Sequence, residues 1–206
     1  MDWQLDAVEV RVLGALLEKE IATPDYYPLS VNALVNACNQ KSNREPVVSY
    51  DDATAEDALE RLRAKGLALR VTGGDSRVPK HEQRFTEKFN MGRREAAVMC
   101  VLMLRGPQTV GELRGRSERL YTFDDLEAVE STLSRLAEMT FAKKLPRHAG
   151  FKEQRWTHLL AGDVEVAPAP APVEHGQSEP ARVERLEAEL AQLRREFDEF
   201  RRKFEE

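Results

Sequence analysis

Hydrophobic residues recur every three or four positions through most of the first 160 residues, in segments separated by glycine, proline and amide side chains. This spacing places them on one side of a helix and therefore predicts amphipathic helices. Gly14 falls inside the first of these, where it predicts the close approach of a neighbouring backbone. The predicted helices are Leu5–Glu20, a short one with Val31, Leu34 and Val35, Ala55–Lys65, Gly92–Arg105, Val110–Arg116 and one starting near Leu126.

Two stretches with the composition of strands follow the third and the last of these helices. The first comprises Leu67–Val71, the turn Gly73–Asp75 and a return strand that ends at Phe85. The second joins Phe141–Leu145 to Glu153–Thr157. Both are predicted β-hairpins, so an order of three helices followed by a hairpin occurs twice.

This order of elements is typical of a helix-turn-helix module with a wing. We therefore predict a mainly α fold with small β-hairpins (α+β), built from two tandem winged-helix domains at residues 1–90 and 91–162. Each copy would bury its own apolar stripe. The corresponding residues of the two copies are Leu59 and Leu133, Leu62 and Leu136, and Phe85 and Trp156.

Polar residues mark where two of these helices are expected to begin. Thr54 is placed to N-cap the third helix, with Asp57 at the capping-box position. In the second copy, Asp124 is placed as the N-cap, with Glu127 three residues later. The buried stripe predicted after it is Leu126, Val129, Leu133 and Leu136.

The last 44 residues change in character. Residues 163–180 are rich in alanine and proline and predict an extended linker, and residues 181–206 predict a coiled-coil helix, because their hydrophobic residues alternate at spacings of three and four. The seam is Val183, Leu186, Leu190, Leu193, Phe197, Phe200 and Phe204. Charges beside the seam favour self-association as a parallel homodimer; the alternative is a single helix that lies on its own folded domains.

The net charge of −5 is unlike that of a typical basic nucleic-acid-binding protein. Residues 91–162 nevertheless hold more basic than acidic side chains, whereas the segments on both sides hold more acidic ones. A surface that faces a polyanion is therefore expected in the middle third of the chain.

The sequence contains no motif typical of an enzyme active site. The four histidines are scattered, neither cysteine has a partner at metal-ligand spacing, and no glycine-rich phosphate loop follows a predicted strand. Cys38 and Cys100 fall on apolar helix stretches, where buried thiols are expected. We therefore predict a non-enzymatic protein without cofactor or metal. The acidic amino terminus and the short apolar runs predict a cytoplasmic protein without membrane contact.

Two sets of polar residues are candidates for contact with double-stranded DNA or another partner, because their side chains donate to phosphates and base edges. The first is the amide-rich run after the second helix, with Asn39, Gln40, Lys41, Asn43 and Arg44. The second is a basic set in the second domain, with Arg114, Arg116, Arg119, Lys143, Lys144 and Arg147. As alternatives, the first set builds a turn and the second is an ordinary solvated surface.

Several long runs of residues resemble the YceH-like family of uncharacterised bacterial proteins with two winged-helix domains in tandem. The most specific run is Asn32–Asp51, and Arg11–Glu20, Thr23–Ser30, Leu104–Thr109 and Leu126–Glu130 look similar too. The resemblance covers residues 3–160 and leaves out the linker and the heptad helix. It implies the tandem fold and brings no catalytic residues with it.

DNA binding in a regulatory role is the favoured function, and a protein-interaction scaffold that uses winged-helix surfaces and the coiled coil is the alternative. Acidic residues in the predicted recognition helices count against DNA in the usual geometry, because they repel the phosphates beside the major groove. They are Asp51, Asp52, Glu56, Asp57 and Glu60 in the first copy, and Asp124, Asp125, Glu127, Glu130 and Glu138 in the second.

Overall fold

A computed structural model describes residues 4–73, 76–146 and 153–163 of the chain. Within these ranges the chain forms seven α-helices and two antiparallel two-stranded sheets, which confirms the prediction of helices with small hairpins. The elements are α1 (Ala7–Ala22), a 3-10 turn (Pro24–Tyr26), α2 (Val31–Cys38), α3 (Asp52–Ala64), β1 (Ala68–Gly73), β2 (Ser76–Gln83), α4 (Phe85–Lys88), α5 (Arg93–Arg105), α6 (Val110–Ser117), α7 (Leu126–Glu138), β3 (Ala142–Lys144) and β4 (Trp156–His158).

Helix α1 begins at a capping box. The carboxylate of Asp6 accepts hydrogen bonds from the backbone N–H groups of Val8 and Glu9, each at 2.8 Å, and Glu9 accepts from the backbone N–H of Asp6 at 2.9 Å. The buried Glu9 carboxylate also pairs with Lys65 at the end of α3. The start of α1 is therefore fixed both locally and against α3.

Two predicted N-caps are wrong, each because a neighbouring aspartate is better placed. Asp51, not Thr54, caps α3 by accepting from the backbone N–H of Thr54 at 2.9 Å, so the helix begins three residues earlier than predicted. Asp125, not Asp124, caps α7 by accepting from the backbone N–H of Ala128 at 2.8 Å. An N-cap side chain accepts from a backbone N–H two or three residues later, and at both sites the aspartate meets this condition for the helix start that the structure shows.

The predicted stripe of α7 is confirmed at three of its four positions. Val129, Leu133 and Leu136 are fully buried, and Thr132 is buried beside them. Leu126 is 48% exposed, so its predicted burial is wrong. As the first residue of the helix, Leu126 lies at the end of the element, beyond the surface that packs on the core.

Backbone hydrogen bonds give the two halves of the described chain the same local pattern. In the first half, Leu29 exchanges two backbone hydrogen bonds with His81, of 2.7 and 3.1 Å. In the second half, Gln108 exchanges two with Trp156, of 2.7 and 2.9 Å. Each hairpin is therefore extended by a one-residue β-bridge, which lies just before α2 in the first half and just before α6 in the second.

The predicted equivalence of Phe85 and Trp156 is wrong, because Trp156 bridges to Gln108 in the way that His81 bridges to Leu29, which makes His81 the counterpart of Trp156. Phe85 does not end the return strand but begins the short helix α4, which periodicity did not predict. Its ring packs edge-on against Phe89 and Phe141, with ring centroids 5.4 and 5.5 Å away. Phe85 therefore joins the cores of the two halves.

The two halves share one hydrophobic core, in which α1 packs on α5. A Cβ atom at Gly14 would lie 3.0 Å from the side chain of Leu104 and 3.1 Å from that of Met103, which explains the glycine. The described residues belong to one compact unit, Met1–Val166. The domain boundary after residue 90 stays a prediction. The linker from residue 164 onward, the heptad helix with its seam, and Arg147 lie outside the described residues.

Candidate functional site

A cleft of about 590 Å³ opens where the two halves meet, and we call it the junction cleft. Its walls are the C-terminal ends of α1, α5 and α6 together with the loop after α2. One carboxylate, Glu18, belongs to the lining. The basic residues of the lining are Lys19, Lys41, Arg105, Arg116 and Arg119. The cleft is therefore strongly positive in a chain whose net charge is −5.

The loop after α2 is shaped by its amide side chains. Asn39 ends α2, and its side-chain amide donates to the backbone carbonyl of Tyr50 and accepts from the backbone N–H of Tyr50, both at 2.8 Å. Asn43 adopts a left-handed backbone conformation with φ of 60° and accepts from Arg105. These two predicted contact residues build the turn, and the tip that they hold exposes Lys41.

Arg44 lies beneath this loop and is only 4% exposed. Its guanidinium donates to Glu18 at 2.6 and 3.0 Å and to the backbone carbonyl of Ala37 at 2.8 and 3.1 Å. A further bond of 3.1 Å goes to the side-chain oxygen of Gln40. All of these contacts are internal, so Arg44 and Gln40 support the loop.

The pair of Glu18 and Arg44 keeps the base of the cleft ionised. Burial alone would raise the pKa of Glu18, but the hydrogen bonds and charge of Arg44, with a smaller effect of Lys19, outweigh it and lower the pKa. Lys19 lies 3.2 Å from the same carboxylate. The negative charge of Glu18 is therefore balanced by Arg44 and Lys19, and it does not neutralise the other basic residues of the cleft.

The second half supplies Arg105 and Arg116, which are held by neighbours. Arg116 donates to the side-chain oxygen of Gln108 and lies 3.3 Å from Glu112. Burial and the charge of Arg116 lower the pKa of Arg105. Lys19, Arg105 and Arg116 also occupy the last turns of α1, α5 and α6, where a positive side chain interacts favourably with the helix dipole.

Lys41 and Arg119 differ from the other basic residues of the cleft. Both side chains are exposed, and in the described part of the chain neither makes an ion pair or a side-chain hydrogen bond. One belongs to the first half and the other to the second, so the fold brings together members of both predicted sets. These two side chains can bind an anion without breaking an existing contact.

The remaining predicted contact residues lie outside the junction cleft. Arg114 donates to the backbone carbonyls of Phe123 and Asp124, at 3.3 and 2.7 Å, and so fixes the loop before α7. Lys143 pairs with Asp163, and Lys144 is exposed on β3. Lys19 and Arg105 were not predicted as contact residues. In the sequence they are marked only by their position, as basic residues in the last turn of a predicted helix.

The exposed faces of α3 and α7 have the opposite charge. Asp52, Glu56, Asp57 and Glu60 are exposed on α3, where Asp57 pairs with Arg61 and Glu60 with Arg63. The exposed acidic residues of α7 are Glu127, Glu130 and Glu138. Anions are therefore attracted to the junction cleft and repelled by these two helices.

The described residues suit non-covalent binding. Burial raises the pKa of Cys38 to about 12 and raises that of Cys100 further, so both thiols are protonated at neutral pH. The described ranges contain no group of three or more His, Cys, Asp or Glu residues placed to hold a metal ion. No helix within them is both long and apolar enough to span a bilayer.

A family model matches a range of residues that includes the whole lining of the junction cleft. The family model described as "Protein of unknown function, DUF480" matches residues 5–151. The chain belongs to this family. The resemblance to the YceH-like family is confirmed, because that naming fits the same family.

Relatives in this family match over most of their length. A "UPF0502 protein" of Solibacter usitatus is 72% identical over 207 residues and is aligned over the whole of both chains. One of Opitutus terrae is 52% identical, over 92% of this chain and 83% of its own. One of an Enterobacter species is 46% identical over 96% of each chain.

Proposed function

We propose that this chain is a non-enzymatic tandem winged-helix protein that binds duplex DNA in a regulatory role, with the DNA phosphates held at the junction cleft. The observation that carries the proposal is the convergence of basic side chains from both halves on one cleft. Phosphates dominate the affinity of proteins for duplex DNA, and they are bound by arginine and lysine.

The order of elements supports the winged-helix part of the proposal. Each half contains three helices followed by a hairpin, and each hairpin is extended by a short bridge to a residue two positions before its second helix. In winged-helix proteins the second helix of the turn enters the major groove and the wing touches phosphates. Here the acidic faces of α3 and α7 disfavour that geometry, so we assign the phosphate contacts to the junction cleft.

The salt dependence of DNA binding tests the proposal. The logarithm of the binding constant falls with the logarithm of salt concentration by about 0.9 for each phosphate contact. Replacing the two cleft cations that have no partner among the described residues, Lys41→Gln with Arg119→Gln, is therefore expected to make the slope shallower by about 2. The control is Arg84→Gln with Lys88→Gln, which removes the same charge next to and within α4. Equal slopes for the two double variants, or no salt-dependent binding by the wild-type chain, would overturn the proposal.

The second hairpin is a further candidate for phosphate contact, because Lys143 and Lys144 lie on β3 and Arg147 follows it in sequence. Changing all three to glutamate is expected to weaken retention on duplex DNA. Retention equal to that of the wild-type chain would remove this hairpin from the proposed interface.

A second candidate function is a protein-interaction scaffold, favoured by the acidic exposed faces of α3 and α7. In this alternative the heptad segment, residues 181–206, doubles the binding surfaces through self-association. Truncation after Gly162 is expected to halve the mass measured by light scattering. A monomeric mass for both the full chain and the truncated chain would rule out the coiled coil.

A further inference from the structure

A second groove, of about 640 Å³, lies between α3 and the hairpin of β1 and β2, and we call it the hairpin groove. It shares no lining residue with the junction cleft. Its lining is Ser30, Val31, Asn32, Asp52, Glu56, Leu59, Glu60, Arg63, Arg70, Val78, Pro79 and His81. The groove therefore combines acidic, basic and apolar side chains from α2, α3 and both strands of the hairpin.

Helix α3 gives the groove an acidic wall. Asp52, Glu56 and Glu60 are spaced four residues apart and so share one face of the helix. Glu60 pairs with Arg63 at 2.6 Å, which compensates both charges. In the described part of the chain Asp52 and Glu56 make no ion pair. This end of the wall is therefore an uncompensated patch of two carboxylates.

His81 lines the groove from β2 and provides a second, independent indication of a ligand. Its residue is 7% exposed, and its backbone is fixed by the two hydrogen bonds to Leu29. In the described part of the chain its Nδ1 atom has no hydrogen-bond partner. A buried polar atom without a partner is unusual in native proteins and marks a place where one is missing. Burial and the nearby Arg70 and Arg63 lower the pKa of His81, so the imidazole is neutral at pH 7.

The remaining lining offers apolar surface beside these polar groups. Leu59 is buried at the base, Val31 packs against the core, and Val78 on β2 is 58% exposed. A long basic side chain has an apolar stem and a charged head, and it covers apolar surface while its head meets a carboxylate. Apolar residues next to Asp52 and Glu56 suit a side chain of that kind.

We propose that the hairpin groove binds an arginine- or lysine-bearing segment of a partner protein, with the basic head group at Asp52 and Glu56 and the stem along Val31 and Val78. Charge complementarity with the uncompensated carboxylates selects a basic partner, and it disfavours nucleic acid at the same surface. Arg70 is the cross-strand neighbour of His81 and lines the hairpin side of the groove, where it favours an acidic residue in the same segment. The chain would then bind DNA and a basic protein on separate surfaces.

The test uses the full chain and a tetra-arginine peptide as the probe, with binding followed by NMR. We expect the signals of Glu56, Glu60 and the His81 imidazole to shift and to saturate. The substitution Glu56→Gln removes one exposed carboxylate and is expected to weaken binding about threefold, as for a partly exposed ion pair. The matched control is Glu130→Gln, the exposed glutamate at the corresponding position of α7.

The outcomes distinguish this proposal from DNA binding at the junction cleft. Equal weakening by Glu56→Gln and Glu130→Gln, or shifts confined to α7, would overturn it as non-specific attraction to acidic helices. A twelve-base-pair duplex that shifts the groove signals when the peptide does not would also overturn it. Unchanged binding in the double variant of Lys41 and Arg119 is expected, because those residues lie in the other cleft.

Discussion

At the scale of single residues, Arg44 determines how the junction cleft is presented. Its guanidinium joins Glu18 on α1 to the carbonyl of Ala37 on α2. Lys41 lies on the loop that connects α2 to Arg44, so these contacts hold the loop in place. The sequence alone does not distinguish a structural arginine from a ligand-binding one, because both need the same donors. The burial of Arg44 identifies it as structural, and this burial depends on its contact with Glu18 of α1, 26 residues earlier in the chain.

Removal of the Arg44 guanidinium is expected to destabilise the fold. In Arg44→Met, Glu18 stays buried without its main partner, and loss of one partner of a buried pair typically costs about 3–5 kcal/mol. Urea unfolding at pH 7 measures the change. The control is Arg119→Met, because Arg119 is exposed and makes no ion pair within the described ranges; this change is expected to shift the free energy of unfolding by less than about 0.5 kcal/mol. Similar losses in both variants would contradict the supporting role of Arg44.

His158 makes the stability of the fold sensitive to mild acid. Burial lowers the pKa of His158 to about 4, from an ordinary value of 6.5. The unfolded chain takes up the proton first, so the stability contributed by the neutral imidazole is complete above pH 6.5 and is lost as the pH falls towards 4. Between pH 7 and pH 5 this loss is about 2 kcal/mol. The variant His158→Phe has no titrating group at this position. Its free energy of unfolding, measured with urea, is therefore expected to fall by about 2 kcal/mol less than that of the wild-type chain between pH 7 and pH 5. Equal pH dependence of the two chains would contradict the assignment.

At the scale of elements, the halves are held together by the close packing of α1 on α5. The periodic stripes of both helices are evident in the sequence, and Gly14 indicates where a neighbour approaches. Which helix is that neighbour is not evident, because the contact joins residues about ninety positions apart. The two N-caps were misplaced for a related reason: polar residues within three positions of one another have similar capping propensities, and only the final backbone direction selects one of them.

Filling the space at Gly14 is expected to separate these helices. Gly14→Leu would place a side chain against Leu104 and Met103, and overpacking of a close-packed core typically costs about 1–3 kcal/mol. The control is Gly111→Leu in α6, where no atom of the described residues lies within 4 Å of an added Cβ. Thermal unfolding is expected to show a lower midpoint for the first variant only. A midpoint for Gly14→Leu at or above that of the wild-type chain would contradict the packing.

At the scale of the whole molecule, the fold separates charges that alternate along the sequence. The basic excess of residues 91–162 predicted a polyanion-facing surface in the middle third, and Arg105, Arg116 and Arg119 of the cleft come from there. Lys41 was predicted as a contact residue, but its place beside the second half was not, and Lys19 was not predicted at all, because both depend on how α1 and the loop after α2 meet the second half. The acidic faces of α3 and α7 were evident in the sequence, since helix spacing alone determines them.

The most direct measurement of where DNA binds is amide hydrogen exchange of the full chain with and without a duplex. Binding at the junction cleft predicts slower exchange in the loop of residues 39–44 and in residues 114–119 around the end of α6. It predicts unchanged exchange in the N-terminal turns of α3 and α7. Protection of those turns, with the loop and the end of α6 unaffected, would place DNA on the acidic helices and contradict the junction cleft as the phosphate site.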